Sequence, residues 1–191
     1  DKLSALTKGF APVLLHGITG SGKTAVYLSY ISLLIERDAS AQVLLLVPEI
    51  GLTPQLAKTL ESTLPPSSIA ILHSGLADNL RAAVWSAASR GELRLIVGTR
   101  SAIFVPMPHL AAIIVDEEHD ASYKQWESVR YQARDLAGEL GAHAGRVGGQ
   151  DTFLRVFEDG ALGRSDSEAL GCFKKNIRRR LQLGDIEAAD D

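Results

Sequence analysis

The sequence Gly17-Ile18-Thr19-Gly20-Ser21-Gly22-Lys23-Thr24 matches the phosphate-binding loop pattern G-x-x-x-x-G-K-[ST]. An apolar run at residues 13–15 precedes it and predicts a short buried strand. Residues 25–37 follow it with apolar side chains at helical spacing. Short matches also arise by chance in glycine-rich loops, but the pattern gains its meaning between a strand and a helix. This stretch therefore predicts an α/β fold organised around a P-loop.

Each residue type in this loop has a chemical reason to be there. Gly17, Gly20 and Gly22 permit a tight turn that points backbone N–H groups inward, toward polyphosphate oxygens at the positive end of the following helix. Lys23 supplies a positive charge near the β and γ phosphates, and the Thr24 hydroxyl is a ligand for Mg²⁺. We therefore predict that residues 17–24 bind a nucleoside triphosphate.

Composition limits the class of protein. The chain has 191 residues, 46% hydrophobic and 23% charged, which is typical of one globular domain with a possible small appendage. The net charge of −3 is not the basic balance of a protein that binds nucleic acid by bulk charge, although local patches could do so. The single cysteine, Cys172, excludes an internal disulfide and a cysteine zinc site, which favours a reducing, cytoplasmic compartment.

Two further features of the whole chain give expectations. No apolar run reaches the roughly 20 residues that span a bilayer, so we predict no membrane segment. The chain starts at Asp1 without a methionine or a signal-like segment, and we therefore expect it to be cut from something longer.

Strands and helices alternate along the first part of the chain. Apolar runs predict strands at 42–47, 69–72, 93–97 and 111–115, and helical spacing predicts helices at 54–63 and 78–89, the latter with Trp85 in the core. This order predicts a mostly parallel sheet with helices on both faces. A strand at 153–157, a basic helix at 172–183 and a disordered acidic end are expected in the remainder.

An acidic cluster, Asp116-Glu117-Glu118-His119, follows the apolar strand that ends at Val115. An aspartate at a strand end can hold magnesium, and a neighbouring carboxylate can activate a water molecule. We assign Asp116 to the metal and Glu117 to the water, and we expect His119 to face the group that senses the nucleotide. With Lys23, Asp116 and Glu117 form the predicted catalytic set. The alternative is a solvated acidic turn.

The motifs together resemble the first motor lobe of superfamily 2 helicases, and within them the PriA family of replication-restart helicases. The resemblance covers about residues 10–137 and is carried by the segments 19–27, 47–55, 72–74, 98–104, 113–125 and 130–137. One departure is Ala25, where the family usually has glutamate. The resemblance implies a RecA-like P-loop NTPase lobe that uses ATP and Mg²⁺ and a parent enzyme that translocates 3′ to 5′ on single-stranded or forked DNA.

The resemblance also implies contacts to DNA. In such lobes the segment with Pro48, Glu49 and Thr53 tracks single-stranded DNA, as does the segment with Thr99 and Arg100. Backbone amides and hydroxyls would contact phosphates there without reading base sequence. A plain strand-to-helix turn explains the first segment equally well, and a surface salt bridge explains Arg100.

Aromatic and cationic residues alternate after the acidic cluster, in the pattern of a platform on which single-stranded bases stack. The resemblance implies an aromatic-rich loop that links DNA contact to ATP hydrolysis through His119, Tyr123, Lys124, Trp126 and Arg130. The alternative is that Trp126 and Tyr131 pack a helix onto the sheet.

The resemblance ends near residue 137, so we predict a motor lobe at 1–137 and a divergent segment of unknown role at 138–191. The latter has no G-S-A-T motif, and its basic residues 174–180 fit either a phosphate contact or a solvated helix face. Whether this segment is native, fused or frameshifted stays open. The expected partners are DNA, a second motor lobe that this chain lacks, other primosome proteins and single-stranded-DNA-binding protein. An adaptor module without motor activity and a P-loop kinase are the alternative functions.

Overall fold

The structure of the protein is a computed structural model that describes residues 11–18, 20–48, 54–127, 129–144 and 152–158. The predictions for Thr19, Glu49, Thr53, the basic helix at 172–183 and the acidic end lie outside the described residues. No helix in the described part of the chain is long and apolar enough to cross a membrane.

A six-stranded sheet forms the centre of the fold, and every pairing in it is parallel. Its strands lie in the order β1-β8-β5-β2-β4-β3. Their bounds are β1 Ala11–Gly17, β2 Gln42–Leu46, β3 Ile69–Leu72, β4 Leu95–Gly98, β5 Leu110–Val115 and β8 Thr152–Glu158. Strands β6 (Lys124–Gln125) and β7 (Tyr131–Gln132) form a separate antiparallel pair.

Four α-helices accompany the described strands: α1 Lys23–Arg37, α2 Pro54–Thr63, α3 Asp78–Ser89 and α4 Ala133–Ala144. They cover the two faces of the sheet, as alternate residues of β2 show. Val43 and Leu45 pack in a cluster with residues of α1 and α2, whereas Leu44 and Leu46 pack with residues of α3 and α4. Burial on both faces explains the continuous apolar runs in the sequence and confirms the predicted fold class.

Strand β8 lies in the middle of the sheet, between β1 and β5. The strand predicted at 153–157 is therefore confirmed, and it separates the strand before the phosphate loop from the strand before the acidic cluster. Helix α4 continues past residue 137, and the compact unit that contains the sheet is Asp1–Glu158. The division predicted at residue 137, with a divergent segment at 138–191, stays a prediction.

One buried polar side chain, Gln42, links the amino end of β2 to α3 and to the segments that precede β4 and β5. The Gln42 amide nitrogen donates to the carbonyls of Ala88 (3.0 Å) and Leu93 (2.9 Å), and its oxygen accepts from the His109 backbone N–H at 3.0 Å.

Trp85 is 38% exposed, so the prediction that it belongs to the core is wrong. Its helix α3 buries Ala88 and packs Val84 and Ala87 against the sheet instead.

Candidate functional site

The phosphate loop joins the end of β1 to the start of α1. Gly20 (φ 76°) and Gly22 (φ 85°) have left-handed backbone conformations that favour glycine. Gly22 is the N-cap of α1, and neither a side-chain cap nor an acidic residue in the first turn occupies that end of the helix. Backbone N–H groups at a helix N-terminus bind anions, so this end is suited to phosphate oxygens.

Lys23 is the first residue of α1 and is only 8% exposed. Its Nζ atom donates to two carbonyls of the loop, Gly17 O at 2.6 Å and Ile18 O at 2.9 Å. An ammonium group has three donors, so one remains for a further partner. The structure thus places a single positive charge against the inner side of the loop, where a polyphosphate would need it.

The acidic cluster forms a tight turn directly after β5. The Asp116 backbone N–H donates to Leu46 O at 2.9 Å, and one carboxylate oxygen of Asp116, Oδ1, accepts from the Glu117 backbone N–H at 3.0 Å. Glu117 has a φ of 45°, and it is the one non-glycine residue with positive φ in the described part of the chain. Such strain costs roughly 1–3 kcal/mol and collects at functional sites, where the surrounding structure maintains it.

Glu117 and His119 lie side by side in this turn. Their closest side-chain atoms, Glu117 Oε2 and His119 Nε2, are 3.7 Å apart, and the two side chains are 31% and 26% exposed. The His119 Nδ1 atom is buried and has no hydrogen-bond partner among the described residues. Both side chains are therefore partly exposed to solvent beside the strand end.

Tyr27 connects α1 to the acidic turn. Its ring is buried, and its hydroxyl donates to Asp116 Oδ2 at 3.0 Å. Burial and the nearby Asp116 carboxylate raise the pKa of Tyr27 well above its usual value, so it remains a neutral donor. Helix α1, which carries the predicted metal ligand Thr24, is thus joined to the predicted metal ligand Asp116.

Tyr123 is fully buried, which corrects the expectation that it belongs to a platform for stacking bases. Its hydroxyl lies 2.5 Å from the carbonyl oxygen of Asp116 and 3.0 Å from that of Leu46, so its ring is enclosed by the core. Burial, with Asp116 nearby, raises its pKa as well. Tyr123 connects the loop after it to the acidic turn, the position that a coupling role requires.

Two other predicted DNA contacts are buried. Pro48 is buried at the end of β2, and Thr99 is 4% exposed. The Thr99 N–H also donates to Leu72 O at 3.2 Å, so it is already engaged within the sheet. Neither residue presents an accessible side chain for a phosphate in this structure.

Arg100 joins its segment to the loop that follows Tyr123. Its Nη1 atom donates to Ser122 O at 3.0 Å and lies 3.4 Å from Lys124 O. The neighbouring Phe104 ring meets Tyr131 edge to face, with 5.0 Å between centroids. An open surface cavity of about 440 Å³ lies beside these contacts, with a lining that includes Ser74, Arg81, Arg100, Ser101, Gln125 and Tyr131.

The loop from Lys124 to Tyr131 carries the exposed members of the aromatic and cationic set. Trp126 is 64% exposed, and the Lys124 ammonium lies 3.7 Å from the centre of its ring. Arg130 is exposed as well. These three side chains remain open to a ligand, in contrast to Tyr123.

Residues 1–137 match the family model described as "Type III restriction enzyme, res subunit". The chain belongs to this family. Its relatives include replication restart protein PriA of Haemophilus influenzae, which is 51% identical to this chain over 129 residues. The aligned residues cover 68% of this chain and 17% of that protein. PriA of Bacillus subtilis is 46% identical over 130 residues, covering 68% of this chain and 16% of that protein. The predicted resemblance to PriA is confirmed, and the chain spans about a sixth of the length of these relatives.

Solved helicase structures share the fold of this chain. The Pyrococcus furiosus Hef helicase domain superimposes with a TM-score of 0.60 at 16% identity, covering 97% of this chain and 36% of that one. Mycobacterium smegmatis Lhr bound to ssDNA and AMP-PNP gives 0.53 at 19% identity, covering 94% and 22%. At this identity the likeness concerns the fold alone, and it confirms the predicted RecA-like α/β fold.

Proposed function

We propose that this chain is the ATP-binding motor lobe of a PriA-type 3′-to-5′ DNA helicase that acts in replication restart in the cytoplasm. The observation that carries the proposal is the junction of the phosphate loop helix and the acidic turn, made by the Tyr27 hydroxyl on Asp116. Two motifs that are far apart in the sequence thereby face one location beyond the strand ends, where ligands of open α/β sheets bind.

The residues at this location fit a magnesium–nucleotide complex. Thr24 and Asp116 offer hard oxygen ligands. Two such ligands suit Mg²⁺, which usually keeps waters and combines one or two protein oxygens with substrate phosphates. When bound, Mg²⁺ neutralises part of the negative charge of the phosphates.

The other side chains have separate roles in this proposal. Lys23 exchanges its two carbonyl partners for phosphate oxygens, a shift that its long side chain allows. Glu117 orients and deprotonates the attacking water, and His119 beside it senses the nucleotide. The N–H groups of residues 17–24 hold the phosphates.

Single-stranded DNA is the proposed second ligand. Trp126, Lys124 and Arg130 form an exposed aromatic and basic loop, and base stacking on such residues needs no sequence preference. Arg100 holds this loop against its own segment and borders the adjacent cavity. Tyr123 then provides a short route from this loop to the backbone of Asp116.

The nucleotide part of the proposal is tested by binding of a fluorescent ATP analogue with Mg²⁺. We expect Lys23→Ala to weaken binding at least tenfold, because it removes a charge from the phosphate site. Lys58→Ala is the matched control, since Lys58 is an exposed lysine on α2. Equal affinities for wild type, Lys23→Ala and Lys58→Ala would contradict a nucleotide site at this loop.

A further inference from the structure

Tyr27 is a buried residue of α1, and none of the sequence motifs assigns it a role. It is 1% exposed, and its phenol reaches across to a carboxylate 89 residues away in the sequence. Burying a polar hydroxyl costs free energy unless it is hydrogen-bonded, so the position of this one is set by its partners. The hydrogen-bond partner of the phenol is the Asp116 carboxylate.

The bonds at Asp116 leave its carboxylate a single orientation. Oδ1 accepts from the Glu117 N–H at 3.0 Å, and Oδ2 accepts from the Tyr27 hydroxyl at 3.0 Å. Both carboxylate oxygens are therefore engaged within the fold, one by the turn and one by α1.

Thr24 lies three residues before Tyr27 on α1, and residues at this spacing share one face of a helix. The phenol therefore reaches Asp116 from the same helix that carries the other predicted metal ligand.

We propose that Tyr27 is a positioning residue for magnesium, whose hydroxyl holds the Asp116 carboxylate in the orientation that the nucleotide-bound ion requires. The inference rests on the proposed function. It assigns Tyr27 no contact with the nucleotide, so its effect acts through Asp116. Outer partners of metal ligands typically contribute about 10–100-fold to metal affinity.

The test is a magnesium titration of nucleotide binding in the 191-residue chain, with Tyr27→Phe compared with wild type. A fluorescent ADP analogue is used as the probe, and its affinity is measured at increasing Mg²⁺ and in EDTA. We expect Tyr27→Phe to raise the half-maximal Mg²⁺ concentration about tenfold. The affinity in EDTA should stay within about twofold, because the phosphate loop itself is intact.

Tyr30→Phe is the matched control, since it removes the same hydroxyl from another buried tyrosine of α1. It should leave the Mg²⁺ titration unchanged. A double variant, Tyr27→Phe with Asp116→Ala, completes a cycle in which removing the phenol should have no further effect once the carboxylate is gone. Thermal unfolding of each variant verifies that it folds.

The outcomes separate the inference from the function beneath it. If wild type shows no magnesium-dependent nucleotide binding, the proposed function fails. If wild type binds with Mg²⁺ and Tyr27→Phe gives the same titration, or loses affinity equally in EDTA, the role of Tyr27 is overturned and the nucleotide site stands. Additive effects in the double variant would also overturn it.

Discussion

Glu117 is strained in a way that the sequence does not reveal. Its φ of 45° costs a residue with a side chain about 1–2 kcal/mol, a cost that glycine avoids. We expect Glu117→Gly to raise the free energy of unfolding by about 1 kcal/mol, measured by urea denaturation. The same substitution removes the carboxylate that we propose for water activation, so stability and activity should change in opposite directions.

The matched control for this effect is Glu117→Gln. It removes the charge and keeps the left-handed backbone, so it should not gain the stability of the glycine variant. If the two variants have the same stability, the strain at position 117 is not relieved by glycine and the prediction is wrong.

At the scale of residues, the sequence is informative where chemistry is local. Gly22 has the left-handed backbone that a tight turn needs, and Lys23 contacts the loop, because their neighbours in sequence are also their neighbours in space. Tyr27 and Tyr123 could not be assigned this way. Their hydroxyl partners lie on Asp116, and only the packing of α1 and the turn against the sheet brings these groups together.

At the scale of elements, α4 is tied to the acidic turn by a buried charge. Glu118 is 1% exposed, and its Oε1 atom lies 3.5 Å from Nη1 of Arg134 in the first turn of α4. Removing one partner of a fully buried pair costs about 3–5 kcal/mol. Because the Arg134 side chain is 28% exposed, we expect Arg134→Met to lower the free energy of unfolding by about 2 kcal/mol.

An exposed ion pair supplies the comparison. Arg90 and Glu92 are closer, with 2.6 Å between Nε and Oε1, but both side chains are 55% exposed. We expect Arg90→Met to cost less than Arg134→Met, since water screens the exposed pair. Urea denaturation of the two variants shows whether burial or the distance between the charges determines how much an ion pair stabilises the fold. A larger loss of unfolding free energy for Arg90→Met than for Arg134→Met would contradict the prediction.

The elements themselves were largely predictable, whereas their arrangement was not. Helical and continuous apolar patterns predict α2 and α3 and strands β2 and β3 because these patterns reflect burial of each segment. The place of β8 between β1 and β5 depends on pairing with strands far earlier in the chain. Periodicity within residues 152–158 carries no information about those partners.

At the scale of the whole molecule, one motor lobe is expected to bind nucleotide better than it hydrolyses it. In two-lobe motors an arginine from the opposite lobe stabilises the charge of the transition state, which contributes about 10³–10⁵ in rate. The described part of this chain provides one sheet with its phosphate loop and acidic turn. We therefore propose that the 191-residue chain does not unwind DNA by itself.

Turnover of ATP by the purified chain, with and without single-stranded DNA, tests this expectation. We expect slow hydrolysis that Glu117→Gln abolishes, because the water then lacks its base, and no strand separation on a forked duplex. Robust turnover stimulated by DNA would show that one lobe suffices and would refute the prediction. A rate that ignores both DNA and Glu117→Gln would favour the adaptor module, since nucleotide binding would then be unconnected to the acidic turn. Lys58→Ala again serves as the control, because an exposed charge on α2 should not alter either rate.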